Sequence, residues 1–211
     1  MRGAWLAAMS VATLFPTHRV SALDRDSVTT PSSRIWITGA SNIRKFTCRA
    51  RDVAGAVDLH ARRLRDGTVG GDNLATSPSL LIAINAVDCG IDTMNQHLRE
   101  TLSGDQFPTV QFRLATYEVD LSARTAIARL NGSMTIHGVT RPVEAMATVR
   151  ADSLGEVHVV GAYVVRMTDF GVSPPRRFGG LLRVKNRVTV HFDVTPQRTE
   201  AVDELRCALK G

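Results

Sequence analysis

The sequence predicts an all-β fold, an antiparallel sandwich or up-and-down barrel of about eight or nine strands with one or two short helices. Apolar and polar residues alternate strictly through residues 126–136 and 143–150, which is typical of half-buried antiparallel strands. The segment between them, from His137 to Pro142, contains the glycine and proline that turns favour. Since all-β units of about 200 residues are commonly one domain, the 211 residues are expected to form a single domain.

The other elements follow from the same patterns, taken in chain order. Further strands are expected at 34–39, 43–49, 53–59, 80–87, 110–117, 157–167 and 187–194. Met94, Leu98 and Leu102 lie at helical spacing and predict a helix over 92–102. A second short helix is expected over 199–209, and segments 60–78 and 168–185 are expected to be loops because they are rich in Gly, Pro and Arg.

The N-terminal segment predicts export. Residues 1–22 carry Arg2, an apolar run too short to span a bilayer, and small residues before Leu23, which together predict a signal peptide. An uncleaved anchor or a mis-assigned start is the alternative. We expect a linker at 23–33, the β domain at 34–195, a C-terminal tail with a possible short helix at 196–211, and a periplasmic or secreted location.

The three cysteines are interpreted in the light of that location. Cys48 and Cys89 lie in strand-like segments, and Cys207 lies near the C-terminus. In an oxidising compartment two strand cysteines are expected to pair, so the sequence predicts a Cys48–Cys89 disulfide. Pairing of one of them with Cys207 remains the alternative. The cysteine and histidine spacings do not match a zinc site, and we expect no metal.

Charge and composition argue against a nucleic-acid partner. The formal net charge is +6, but the basic residues are spread along the strands, and aromatic residues make up only 5% of the chain. The exception is the basic loop at 174–180 with Arg183 and Lys185 beyond it. At a barrel mouth it would allow peripheral contact with a lipid head group or an anionic membrane surface. A solvated loop is the alternative.

No motif for catalysis is present, so we expect no enzymatic activity and no cofactor other than a bound lipid. Nucleophile elbows, zinc-protease motifs, phosphate loops and dinucleotide fingerprints are all missing from the sequence. His137 has no nucleophile or carboxylate partner evident in the sequence, and a structural role in the turn is predicted for it.

Several short motifs resemble one known family. They are Gly39-Ala40-Ser41-Asn42 with Phe46-Thr47-Cys48, Cys89-Gly90 with Met94 and His97-Leu98, Phe107-Pro108-Thr109-Val110-Gln111-Phe112, the hairpin from Gly132 to Val143, and Met167-Thr168-Asp169-Phe170-Gly171-Val172. The chain resembles the YceI-like proteins, which are exported lipocalin-like barrels that bind polyisoprenoid lipids. The resemblance implies a lipocalin-like antiparallel β-barrel of about eight strands that encloses an apolar channel. Met134 stands where the family usually has leucine, and the cysteine pair looks like an addition of one branch.

The inward positions of the strands are the candidate lipid-binding residues. They are Ile35, Ile37, Val110, Phe112, Leu114, Leu130, Met134, Tyr163, Val165 and Phe192. Small residues on the hairpin's apolar face favour a channel over a filled interior: Ala126, Ala128, Gly132, Ala145 and Ala147. The expected partner is therefore an apolar lipid. The alternative is a filled barrel that docks a protein partner through basic loops, and the oligomeric state, a dimer included, stays open.

Overall fold

The computed structural model describes residues 33–55, 59–63, 68–73, 79–121, 125–196 and 200–209. The predicted signal peptide at 1–22 lies outside the described residues, and so does the predicted linker at 23–33 except for Ser33.

Most of the described residues form strands. They are β1 Arg34–Ala40, β2 Lys45–Ala50, β3 Val53–Ala54, β4 Leu59–Arg63, β5 Thr68–Asn73, β6 Leu80–Ala83, β7 Val87–Asp88, β8 Thr109–Asp120, β9 Ala126–Ile136, β10 Val139–Ala151, β11 Val157–Arg166, β12 Arg176–Arg177, β13 Leu182–Arg183 and β14 Arg187–Val194. The α-helices are α1 Asp92–Thr101 and α2 Glu200–Leu209, and short 3-10 helices occupy Ile84–Ala86, Met167–Phe170 and Phe178–Gly180.

The main sheet curls into an antiparallel barrel. Pairing runs in the order β8-β9-β10-β11-β14-β1-β2. The segment that follows β2 in the ring is interrupted by a 3-10 helix: β7 pairs with β2, while β6 pairs with both β3 and β8. With β2–β3 and β6–β7 each taken as one interrupted strand, the pairing returns to β8. The described part of the chain thus forms a ring of eight strand positions, which confirms the predicted lipocalin-like barrel.

The hairpin of β9 and β10 has a tighter turn than the sequence predicted. His137 and Gly138, at φ 52° and 73°, make a two-residue turn, and positive φ at both central residues is the type I′ geometry that suits a twisted hairpin. Pro142 therefore lies inside β10, opposite Ser133. In this register its nitrogen points away from β9, toward the side on which β11 pairs only from Ala147 onward, so its missing N–H leaves no ladder bond unmade.

Further segments also differ from the prediction, and the strand expected at 80–87 is broken by the 3-10 helix Ile84–Ala86. The segment 60–78, expected to be a loop, contains most of the β4–β5 hairpin, which extends the sheet along β8. Within the expected loop 168–185, β12 and β13 form a small hairpin. Both were missed because their glycines and arginines break the apolar alternation.

The two ends of the barrel are built differently. At one end α2 packs against β4, β10 and β11, and its Val202 and Leu205 are buried in a cluster with Val119 and Val149. The opposite end collects α1, the turn at His137 and the connections 41–44 and 167–186. We call this second end the mouth end.

Candidate ligand-binding channel

A cavity of about 520 Å³ runs through the barrel. All the residues predicted to face inward lie on its wall: Ile35, Ile37, Val110, Phe112, Leu114, Leu130, Met134, Tyr163, Val165 and Phe192. Their gathering follows from the period of two, since successive side chains of each strand point to opposite faces of the sheet. The volume is within the usual range for small-molecule sites.

The cavity is elongated along the barrel. On β9 its wall extends from Ala128 to Ile136, which is about 26 Å along the strand at ~3.3 Å per residue. With the usual tilt of barrel strands this corresponds to roughly 20 Å along the axis. Residues of both buried clusters, from Val202 near one end to Phe170 near the other, line it. We call this space the channel.

The channel opens at the mouth end. The lining residues that are themselves exposed to solvent all belong to that end: Arg44, Ile91, Thr93, His97 and Phe178. At the other end the lining residues Val202 and Leu205 of α2 are only 2% and 4% exposed. As far as the described residues show, the channel therefore opens at the mouth end and is closed by α2 at the other end.

The wall is apolar through most of its depth. Its polar members are few and include Gln111 and Tyr163 on the strands and His97 and Thr101 on α1. The Gln111 side-chain amide donates to Thr109 Oγ1 at 3.1 Å. A site of this kind selects by shape and apolar surface, with a small number of polar contacts for orientation.

Only some of the small residues act as the sequence predicted. Ala128 and Ala145 line the channel, whereas Ala126 and Ala147 are packed in the buried cluster near α2. Gly132 is needed for a different reason. A Cβ built there would lie 2.2 Å from the backbone oxygen of Arg113, where β8 bulges. The interpretation that Gly132 opens space for a ligand is wrong, because this glycine allows two backbones to approach closely.

Helix α1 lies over the entrance. Met94, Leu98 and the following Leu102 line the channel, as their helical spacing allows, although no residue of α1 is fully buried. The sequence predicted the helix but not its place on the channel wall, since periodicity shows which face is apolar and not what that face meets.

The start of α1 is fastened to the barrel. The predicted Cys48–Cys89 disulfide is present, with Cys48 on β2 and Cys89 directly after β7, and Cys207 is free and exposed. Asn95 accepts a 2.7 Å bond from the Cys89 amide and donates to Asp88 at 3.1 Å. Hydrogen bonds from Arg51, the Gly90 amide and Asn95 hold the pKa of Asp88 far below its usual range.

The end of α1 is tied to the loop across the entrance. Arg177 donates to Glu100 at 3.0 Å, and this bond is the main cause of the lowered pKa of Glu100. After α1, Ser103 Oγ lies 3.1 Å from His137 Nε2, and the His137 ring meets Phe107 edge to face. His137 thus joins the hairpin turn to the chain that follows α1, which is the structural role predicted for it.

The family model of the YceI-like domain matches residues 27–196.

The chain belongs to the YceI-like family.

Solved structures of similar fold include YceI-like proteins. Burkholderia cenocepacia BcnA has a TM-score of 0.56 at 13% identity, covering 78% of this chain and 96% of that one. A polyisoprenoid binding domain from Saccharophagus degradans, implicated in plant cell wall breakdown, has a TM-score of 0.50 at 15% identity, covering 76% and 91%. The Campylobacter jejuni YCEI protein also has 0.50 at 15% identity, covering 72% and 85%. No curated protein sequence matches the chain. At these identities the likenesses show the fold alone.

A polar cluster of this YceI-like barrel lies on its outer wall. Asp193, 3% exposed, is 2.8 Å from His158 Nδ1 and accepts from Arg34 at 2.7 Å. Burial, the largest single effect, raises the pKa of Asp193, but the bonds from His158 and Arg34 together outweigh it and the pKa is lowered. The cluster braces β1, β11 and β14 together. Among the described residues, no group of three or more His, Cys, Asp or Glu side chains is placed to hold a metal ion.

The sequence missed several channel residues. Phe46 on β2, Ile82 on β6, and Phe170 and Val172 beside the 3-10 helix after β11 all line the channel. Phe46 had a usable signal, because it alternates with Cys48 along β2. Phe170 and Val172 belong to a motif that resembles the family but had no periodic signal, since they lie outside any strand and reach the wall only through the 3-10 turn.

Proposed function

We propose that this chain binds a long apolar lipid of the isoprenoid type in the channel, and that it does so as an exported protein. The main observation behind this proposal is the elongated, apolar channel that opens at the mouth end. The polyisoprenoid binding domain of similar fold supports the isoprenoid class of ligand. The Cys48–Cys89 disulfide supports an oxidising compartment.

The binding energy comes from the removal of apolar surface from water. Each buried methylene contributes about 0.8 kcal/mol, so a linear chain that follows the channel gains affinity with its length. Loss of chain freedom opposes this gain. Branched isoprenoid units suit a wall that mixes Ala128 and Ala145 with bulkier side chains such as Phe192 and Met134. Tyr163, half-buried on the wall, offers a hydroxyl for orientation.

The ligand's polar head would remain at the entrance. His97, Arg44 and Arg177 lie there, and Arg44 and His97 are exposed. A head group left among these residues keeps its hydration, whereas the blind end among Val202 and Leu205 would leave it without partners. Ligands are therefore expected to enter tail first. The proposed role is sequestration or carriage and not catalysis.

The test combines lipid extraction with a variant that fills the channel. Protein purified from an exporting host is extracted with organic solvent, and the extract and the intact complex are analysed by mass spectrometry. Ala145→Phe places a ring inside the channel, and Ala162→Phe makes the same change on the exposed outer face of β11. We expect a co-purifying prenyl lipid in the parent and in A162F, and at least ~10-fold less in A145F, since part of the apolar contact is lost.

The same three proteins also test the alternative, a filled barrel that binds no lipid. Melting curves check that A145F is folded, and titration with a fluorescent polyprenyl analogue replaces the co-purified lipid where none is recovered. If neither the parent nor A162F carries or binds a prenyl chain, or if A145F binds it as well as the parent, the proposed function is wrong.

A further inference from the structure

The entrance of the channel is bordered by a surface that combines exposed apolar side chains with an excess of positive charge. We call residues 41–45 and 175–185 the rim. Within it Ile43, Phe178 and Leu181 are 68%, 78% and 76% exposed, which is unusual for side chains of this size gathered at one end of a molecule.

The charge of the rim has one sign. The two segments contain no Asp or Glu and have six basic residues. They are Arg44, Lys45, Arg176, Arg177, Arg183 and Lys185. On the neighbouring α1, Glu100 reaches the rim and pairs with Arg177, while Arg44, Arg176 and Lys185 are exposed.

The two segments are held together as one surface. Asn42 donates through its side chain to the Leu181 carbonyl at 2.8 Å and accepts from the Arg183 amide at 2.9 Å. The Asn42 backbone amide donates in turn to the Arg183 carbonyl at 3.0 Å. The Lys185 backbone amide donates to the Ala40 carbonyl at 2.8 Å. Ile43 and Leu181 therefore protrude from connections whose backbones are fixed, and the apolar and basic groups keep their relative positions.

The conformation of Phe178 adds to this. Its φ is 53°, which is an uncommon and costly region for a bulky L-residue, and Gly179 and Gly180 follow with positive φ as well. The strained backbone leaves the Phe178 ring in solvent at the edge of the channel, which Phe178 also lines. An aromatic ring at the border between an apolar space and water suits the interface of a bilayer.

From this combination we propose that the rim docks onto an anionic lipid bilayer, with Ile43, Phe178 and Leu181 entering the interface and the basic residues meeting the head groups. Charge complementarity selects the bilayer as the occupant: negative lipid attracts Lys and Arg within a Debye length, and apolar side chains between them deepen the contact. Docking places the entrance against the membrane. A lipid taken up there would avoid bulk water, and that last consequence alone rests on the proposed function.

Vesicle flotation tests the docking directly. The probes are vesicles of phosphatidylcholine alone and of phosphatidylcholine mixed with phosphatidylglycerol, and the full exported chain is used. We expect association with the mixed vesicles that weakens as salt is raised. The double change Arg176→Gln and Lys185→Gln removes two charges and is expected to lower the partition coefficient about thirtyfold at low salt.

Matched controls separate the rim from the rest of the surface. Arg49→Gln with Arg129→Gln removes the same charge from the exposed barrel wall. Ile43→Ser with Leu181→Ser is expected to weaken association at least ~10-fold, whereas Leu154→Ser, a leucine 85% exposed at the other end, leaves it unchanged. Equal losses in the wall and rim variants, or equal binding to neutral and anionic vesicles, would overturn the proposal.

Ile43 and Leu181 do not line the channel, so the two proposals can fail separately. Binding of a polyprenyl analogue in vesicle-free solution is measured on the same variants. Loss of vesicle binding with intact analogue binding supports docking. Vesicle binding by a protein that takes up no analogue would keep the docking proposal and refute the proposed function. A rim that captures only a protein partner and no vesicle would refute docking.

Discussion

Arg177 of β12 and Glu100 of α1 form a 3.0 Å ion pair across the entrance of the channel. It connects the rim to the helix that lies over the opening, so ligand exchange is expected to depend on it. Glu100→Gln should speed release of a bound polyprenyl analogue by at most about fivefold, because an exposed pair contributes roughly 0.2–1 kcal/mol. Stopped-flow displacement measures the rate. Glu144→Gln, which breaks the Arg129–Glu144 pair on the wall, is the control and should leave the rate unchanged. Equal rates in E100Q and the parent would show that the pair does not restrain the entrance.

The disulfide should contribute strongly to stability. It closes a loop of 41 residues, for which the chain-entropy relation gives a maximum of about 4 kcal/mol. Cys48→Ser with Cys89→Ser is expected to lower the free energy of unfolding by up to that amount in a denaturant titration. Cys207→Ser is the control, because Cys207 is free and exposed. An unchanged unfolding midpoint in the double variant would contradict the expectation.

The outer-wall cluster predicts a loss of stability in acid. Since the pKa of Asp193 is lower in the folded protein than in the unfolded chain, its ionised form stabilises the fold at pH values above its unfolded pKa of about 3.9. This contribution is lost as pH falls through the folded pKa. The basic side chains around its carboxylate are Arg34, Arg150 and His158.

Asp193→Asn tests this contribution. Near neutral pH it should lower the free energy of unfolding by about 1–3 kcal/mol, and the difference from the parent should shrink as pH falls below about 4. Urea titrations across pH measure both effects. Asp105→Asn changes an exposed carboxylate and should have little effect. A difference between parent and D193N that stays constant down to the lowest pH would be inconsistent with an ionised Asp193.

Alanine substitutions at two glycines distinguish the cost of backbone strain from the cost of steric conflict. Gly138 and Gly90 have φ of 73° and 77°, but a Cβ at Gly138 would lie 2.5 Å from the Phe107 ring, while none of the described atoms lies within 4 Å of one at Gly90. Gly90→Ala should cost about 1 kcal/mol from backbone conformation alone, and Gly138→Ala clearly more. Equal costs in thermal unfolding would mean that Phe107 moves aside freely.

The strands with strict alternation were predicted correctly, and the turn between two of them was not. Strict alternation identified β9, β10, β11 and β14 and placed their inward residues on one wall, because the two-residue period needs no knowledge of the partner strand. The predicted turn was too long, because residues 139–142 include residue types that are common in turns. A strand tolerates proline where no hydrogen bond from its nitrogen is required, and β10 begins at Val139.

The rest depended on contacts between distant segments. The β4–β5 hairpin has little apolar alternation and forms by pairing with β8. The place of α1 over the entrance is set by the contacts of Asn95 and Glu100 and by the disulfide. For the contacts of Asn95 and Glu100, the sequence alone does not show which residue is the partner. The Asn42 bonds that unite the rim join residues about 140 positions apart, beyond the reach of any local pattern.

The 3-10 helix Ile84–Ala86 has a mechanical consequence. It splits the strand that completes the ring, so closure there depends on the short pairings of β7 with β2 and of β6 with β3. In contrast, the whole of β9 pairs with β10. Local opening starts where hydrogen bonds are few, and each of the two pairings at this seam has only two residue pairs. The bond between Cys48 and Cys89 crosses it. We expect reduction of this bond to make opening of the wall along this line easier.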